Sequence, residues 1–512
     1  MKRTSNEHYT EQRLKRSLAH FLLGKVAGLT IGAAWVLLLV RALEPADYGR
    51  YVAFTGIGEV LQLALAFGLM LISERYLPEL RIQGDEHRLT WAVWHWLKWR
   101  LALLAGGCAV VAVSGQALLA WAGLAGLQTA LLFFLISTVA EGTARHAESM
   151  FDSLLMQSYS QVSILFRYGL RVVALAVLHA GGQPLSLDHW MAVEAACFCA
   201  SLLLTGFLLW RGLPALREGR ASAAGPSLPW ARHLRYAAPV YVAELIALAA
   251  SIETVKVLVN RLDGADAAAL YGFCATLALM LQRYLPNFLL IGMIRPMFVA
   301  ALHGPQAERD LNRLFGVLTQ LNLFIMAPAV VAAWWFGDRI VLALSGGQLA
   351  HGGSMLAAML LLVLTQALRA VINLLIMVFE EGRRRLWAAV AGASVFALVP
   401  ALLPQTDSLS LVLGLVAADV VAGLFMLHAG VRRHLSLHWS LAPVLKITAG
   451  CMGATLAALA ADMLLRAHAW AWAAALGAGG LAYLILLAML RPFGTDERRL
   501  INSLLPRPVF IW

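Results

Sequence analysis

Apolar residues in this chain come in long blocks of about twenty, separated by short polar breaks. The first block closes in LLLVRALEPADYGRYVAF, where Arg41, Glu44, Pro45 and Asp47 interrupt the run and apolar residues resume at once. As a helix rising 1.5 Å per residue, about twenty residues cross a hydrocarbon layer ~30 Å thick. Reading runs against breaks predicts about 14 spans, over 19–41, 50–73, 91–113, 126–146, 159–180, 189–210, 236–259, 268–294, 312–336, 355–379, 386–404, 409–431, 441–462 and 468–490. The predicted fold class is an all-α polytopic membrane protein.

Composition agrees. Of the 512 residues, 60% are hydrophobic and 13% charged, against roughly 45–50% and about 25% in soluble domains. The net charge of +11 raises nucleic acid as a partner, but its distribution assigns it to topology instead. With the N-terminus in the cytoplasm, most Lys and Arg fall on cytoplasmic segments: Lys2, Arg3 and Arg16 in the tail, Arg75, Arg81, Arg88, Lys98 and Arg100 around the second connection, Arg211–Arg235 in the longest break, then Arg383–Arg385, Arg432, Arg433, Arg498, Arg499 and Arg507. Opposite connections hold few, Arg41, Arg50, Arg261, Arg339 and Arg466. This alternation is the positive-inside pattern of an inner-membrane protein with both ends cytoplasmic. A long first span preceded by a polar tail reads as retained, not as a cleaved signal. Cys108, Cys197, Cys199, Cys274 and Cys451 all lie in apolar runs and read as small core residues.

The Arg-, Gly- and Pro-rich stretch 211–235 reads as a linker between two lobes. LVRALEPAD at 39–47 is echoed by LVNRLDGAD at 258–266, each soon followed by Tyr-Gly, the mark of an internal repeat of six spans. The expected organisation is a tail (1–18), an N-lobe (19–210), the linker (211–235), a C-lobe (236–431), two accessory spans (432–490) and a C-terminal tail (491–512). In the turn at 41–51, Pro45 is expected to stop a helix, Gly49 to provide a flexible corner, and Arg41 and Arg50 to reach lipid headgroups.

The stretch LGKVAGLTIGAAWVLLLVRALEPADYGRYVAF, followed by FGLMLISERYLPEL, resembles the N-terminal hairpin of the Wzx-like oligosaccharide flippases, a branch of the multidrug/oligosaccharidyl-lipid/polysaccharide (MOP) exporter superfamily. The resemblance rests on Arg41, Leu43, Pro45, Tyr48 and Gly49; Glu44 departs from it where that family often has Gly. It implies two pseudo-repeated six-helix lobes in a V, of the MATE/MurJ type, plus two C-terminal helices. It also implies a flippase that moves a lipid-linked, undecaprenyl-pyrophosphate type oligosaccharide across the inner membrane by alternating access, for O-antigen, capsule or exopolysaccharide synthesis. Pathway partners would be a polysaccharide polymerase and glycosyltransferases. No resident cofactor is implied beyond a coupling Na⁺ or H⁺.

Charges within the spans offer candidates for such a site. Arg171, Arg283 and Arg369 fall near mid-depth, and Arg167 shares a helix face with Arg171. A central Arg costs roughly 2.5–3.5 kcal/mol even on lenient scales, so each needs an acidic partner or a watery cavity holding an anion. Arg suits phosphate geometrically. Lys25, nearer a span end, is a further candidate. The intramembrane carboxylates Glu59, Glu141, Glu194, Glu244, Glu253 and Asp419 are the alternative partners; Glu253 and Lys256 are spaced for a local pair. Asp419, Glu244, Glu253 and Glu59 are also candidate coupling-ion residues. Pro239, Pro286 and Pro328 are candidate kinks. Every connection is short, and no D-x-D, H-E-x-x-H or Gly-rich phosphate loop appears, which argues against an enzyme. A cation-coupled drug or metabolite antiporter and a lipid II flippase remain as alternatives.

Overall fold

The computed structural model describes residues 27–28, 30–82, 86–181, 185–213, 230–289, 291–303, 305–402, 407–437, 441–465, 468 and 470–504. Among these the chain is all-helical, with ten helices long and apolar enough to cross a membrane, or eleven if one bent pair counts as a span. Contacts divide it into two compact units, 1–248 with 253–269, and 249–252 with 270–512.

The first unit holds α1 (Thr30–Ala42), α2 (Pro45–Ala64), α3 (Leu69–Ile82), α4 (Glu86–Val113), α5 (Gly115–Trp121), α6 (Gln128–Ser153), α7 (Gln157–Ala180), α8 (Leu187–Gly212), α9 (Trp230–Ala249) and α10 (Ile252–Leu262). Helices α9 and α10, counted above with the C-lobe, thus pack here. α11 (Ala265–Gln282) begins in this unit and continues into the second.

The turn at 41–51 differs from expectation in two ways. Pro45 does not end a helix but opens α2 at its first position, with Glu44 extended before it, where the missing N–H costs nothing. Gly49 is helical, and its lack of a side chain serves packing: a Cβ there would lie 1.7 Å from the carbonyl oxygen of Ala265. The two echoed sequence segments therefore meet each other, the start of α2 against the start of α11. Arg50 bonds Asp47 at 2.8 Å.

Nor is the second span straight, because α2 and α3 meet at 54°. Phe67 (φ 46°) and Gly68 (φ 71°) turn left-handed at the break, and a Cβ on Gly68 would be 3.0 Å from that of Ala237 on α9. Broken helices free carbonyls that cannot stay bare within a membrane. Arg100 Nη2 donates to the Gln62 carbonyl at 2.9 Å and the Tyr241 hydroxyl to that of Ala64 at 2.5 Å. Arg100, assigned from sequence to a cytoplasmic connection, is only 2% exposed.

The second unit holds most of α11, then α12 (Pro286–Leu289), α13 (Ile291–Leu302), α14 (Ala307–Leu344), α15 (Gly353–Val378), α16 (Gly382–Leu402), α17 (Ser408–Ala429), α18 (Ala442–Leu464), α19 (Ala471–Leu490) and α20 (Thr495–Leu504). The expected span 268–294 is interrupted at 283–285, and Pro286 opens the short α12. Pro239 and Pro328 sit inside α9 and α14, which continue past them. The accessory pair α18 and α19 packs through small residues, a Cβ on Gly479 falling 2.9 Å from that of Ala458. Tyr483 fixes α19 to α14 by donating to the Phe324 carbonyl at 2.8 Å.

Candidate functional site

In the first unit Arg167 and Arg171 are each paired with a carboxylate. Arg167 on α7 donates both guanidinium arms to Glu148 on α6, each at 3.0 Å, and the Ser163 hydroxyl adds a 2.6 Å bond to the same carboxylate. One turn on, Arg171 meets Glu194 of α8 at 2.5 Å. Tyr51 donates its hydroxyl to Glu194 at 2.9 Å and accepts from Arg171 at 3.3 Å. The Arg171 guanidinium lies 3.5 Å from the centre of the Trp35 ring, a desolvated cation–π contact. Both arginines are 5% exposed. Their shared helix face, expected to repel unless an anion intervened, is resolved by one acid from each neighbouring helix.

A third cluster joins α2 and α6: Arg145 bonds Glu59 at 2.6 Å and Glu141 at 3.0 Å, and Gln62 donates to Glu141 at 3.3 Å. Here Glu59 and Glu141 are partly exposed. Glu253 takes the Lys256 ammonium at 2.6 Å, the spacing expected from sequence. Glu244 is half-buried on α9. Lys25 lies outside the described residues.

The second unit is arranged differently. Arg369 on α15 bonds Asp419 of α17 through Nε at 2.5 Å, yet its side chain keeps 34% of its surface exposed. The other carboxylate oxygen of Asp419 is buried without a partner among the described residues. Arg283 is exposed at the interruption after α11, and no ion pair is found for it among the described residues. Two hydrogen bonds strap this interruption to α15, Gln282 to Gln366 at 2.9 Å and Asn287 to the Ala367 carbonyl at 3.0 Å. They fall on either side of Arg283 and beside Arg369. The backbone around Arg283 is thereby tied to the stretch of α15 that also carries Arg369.

Sequence reading missed Arg145, Glu148 and Arg100. The expected span ended at 146, which left Glu148 outside, although α6 runs to Ser153. The i, i+4 spacing of Glu141 and Arg145 was the available signal. Among the described residues no group of three His, Cys, Asp or Glu is placed to hold a metal ion.

Comparison with solved structures defines the architecture. The chain superposes on the lipid II flippase MurJ in an inward closed conformation with a TM-score of 0.64 at 10% identity, covering 94% of this chain and 99% of that one. It superposes on an inward-facing multidrug resistance MATE family transporter of the MOP superfamily with a TM-score of 0.62 at 13% identity, covering 79% and 94%. An outward-facing MATE transporter of that superfamily gives 0.55 at 12% identity, covering 85% and 98%. No family model matches the sequence, and no curated protein matches it. The fold is the polytopic helical architecture that MATE transporters and MurJ share.

Proposed function

We propose that the chain is a flippase that moves a lipid-linked, anionic oligosaccharide across the inner membrane, with Arg283 and Arg369 contacting the pyrophosphate. The observation that supports this reading is the interruption between α11 and α12, which leaves Arg283 exposed within a predicted span and is strapped to α15, the helix that carries the part-exposed Arg369. Discontinuous helices are where transporters of several folds build their binding sites, and Arg offers phosphate planar, bidentate donors. Arg167 and Arg171 are assigned a structural role instead, because buried carboxylates already occupy them. Asp419 is the coupling candidate in this scheme: an arriving phosphate competes for Arg369 and leaves the carboxylate to take up Na⁺ or H⁺.

The cation-coupled antiporter is the second reading, favoured by the partly exposed Glu59 and Glu141 beside Arg145. Gln substitutions separate the two. With membrane expression matched, R283Q and R369Q are expected to abolish most surface polysaccharide in a strain dependent on this chain, while E59Q leaves it intact. Normal polymer from R283Q/R369Q refutes the flippase assignment; loss of drug efflux in E59Q with intact polymer supports the antiporter.

A further inference from the structure

The 54° break between α2 and α3 is built as a joint with two positions. In a continuous helix the Gln62 carbonyl accepts from the Ala66 amide and the Ala64 carbonyl from the Gly68 amide, each from four residues on. Here the Ala66 amide turns to Leu63 at 3.0 Å and the Leu69 amide to Ala66 at 2.9 Å. Arg100 of α4 and Tyr241 of α9 occupy those same two carbonyls instead, at 2.9 Å and 2.5 Å. Bent and straight forms thus draw on one pair of acceptors. The bent form is also strained. Phe67 is left-handed (φ 46°) and 53% exposed, a conformation that a bulky side chain disfavours. Arg100 is 2% exposed, and its Nε and Nη1 have no partner among the described residues. What offsets these costs is α9, which lies along the joint as a splint. Arg232 bonds Glu79 of α3 at 3.2 Å, the His233 ring lies 4.2 Å from that of Tyr76, and the Tyr241 ring 6.1 Å from that of Phe67. At Gly68 the approach is so close that a Cβ would stand 3.0 Å from that of Ala237.

We propose that this joint is a conformational switch between the bent form and a continuous helix, with Arg100 and Tyr241 as its catch. Releasing the catch returns the two carbonyls to the Ala66 and Gly68 amides, so both acceptors stay satisfied within the membrane in either form. It also lets Phe67 leave the left-handed region. The switch lies wholly in the first unit, involves neither Arg283 nor Arg369, and stands independently of the transport reading.

Double electron–electron resonance on the full-length protein in lipid nanodiscs tests it. The five native cysteines are replaced by Ala, and spin labels are attached through E44C, just before α2, and I82C, at the end of α3, both exposed positions. With 20 and 14 residues in the two helices, straightening lengthens the separation by about 5 Å. The parent is expected to show mainly the short distance. Y241F is expected to raise the ratio of long to short about fivefold and R100M roughly tenfold. G68A is expected to shift it the same way, because only the bent form requires a left-handed residue there. N260A, which removes a side-chain bond to the Ala122 carbonyl elsewhere in the unit, should leave the distance unchanged. A merely structural bond at the break would lower melting and move no distance. An unchanged distribution in both Y241F and R100M, or an equal lengthening in N260A, overturns the proposal. Should R100M fail to fold, the Y241F result decides.

Discussion

The buried pair between Arg171 and Glu194 gives a quantitative test of which arginines are structural. Replacing Glu194 by Gln removes the charge 2.5 Å from the guanidinium while keeping the shape. What remains is a cation buried to 5% exposure, held by the Tyr51 hydroxyl and the Trp35 face. Breaking one partner of such a pair costs roughly 3–5 kcal/mol. The Gln carbonyl still accepts a hydrogen bond, which favours the lower end, about 3 kcal/mol. At roughly 2–4 °C per kcal/mol for a large domain, melting should fall by roughly 6–12 °C. Removing both charges together, as R171M/E194L, should recover most of that loss, since apolar replacements of similar volume tolerate burial. R283Q, which touches an exposed side chain, should not shift melting. The assay is thermal unfolding in detergent followed by fluorescence-detected size exclusion. An E194Q protein melting within about 2 °C of the parent, or a double variant as damaged as the single one, would refute the reasoning.

Two further outcomes follow from local geometry. Gly49→Ala places a methyl group 1.7 Å from the Ala265 carbonyl oxygen, so α2 must part from the start of α11; monodisperse yield should collapse, whereas Gly58→Ala, facing the Phe134 ring at 3.1 Å, should be far milder. Asp407 caps α17 by accepting from the Ser410 amide at 2.9 Å and from its hydroxyl, and the Ser410 hydroxyl and amide together hold its carboxyl below the usual range. Its folded pKa is depressed, so its contribution is present above about pH 4 and fades as pH falls through the folded value. D407A should therefore cost about 1 kcal/mol at pH 7 and nothing at low pH; a melting difference constant from pH 7 to pH 3 would exclude this.

Long spans were legible because their signal is length and apolarity, which lipid enforces directly. Expected 355–379 and 409–431 became Gly353–Val378 and Ser408–Ala429. The interruptions were not legible, since they depend on what satisfies the freed backbone. Nothing adjacent in sequence shows that Arg100 and Tyr241 will reach the carbonyls at the end of α2. Pro45 was misread for a related reason: proline marks a helix boundary without saying which side, and here it opens α2 after an extended Glu44. Among charges, local spacing revealed Glu253 with Lys256, but Glu148 with Arg167 and Glu194 with Arg171 cross between helices. Sequence placed both arginines as needing an anion; only the fold shows that the protein supplies it.

Those cross-helix pairs bear on how the chain is made. Glu148, Arg167, Arg171 and Glu194 emerge from the ribosome in that order on three successive helices, α6, α7 and α8. Released singly from the translocon, α7 would carry two unpartnered cations into lipid, at a few kcal/mol each. Held in the lateral gate until its neighbours arrive, it leaves as part of a neutral trio. Biogenesis of the first unit should accordingly proceed by release of α6–α8 as a group, with the order of synthesis itself delivering the two cations between their two counter-ions.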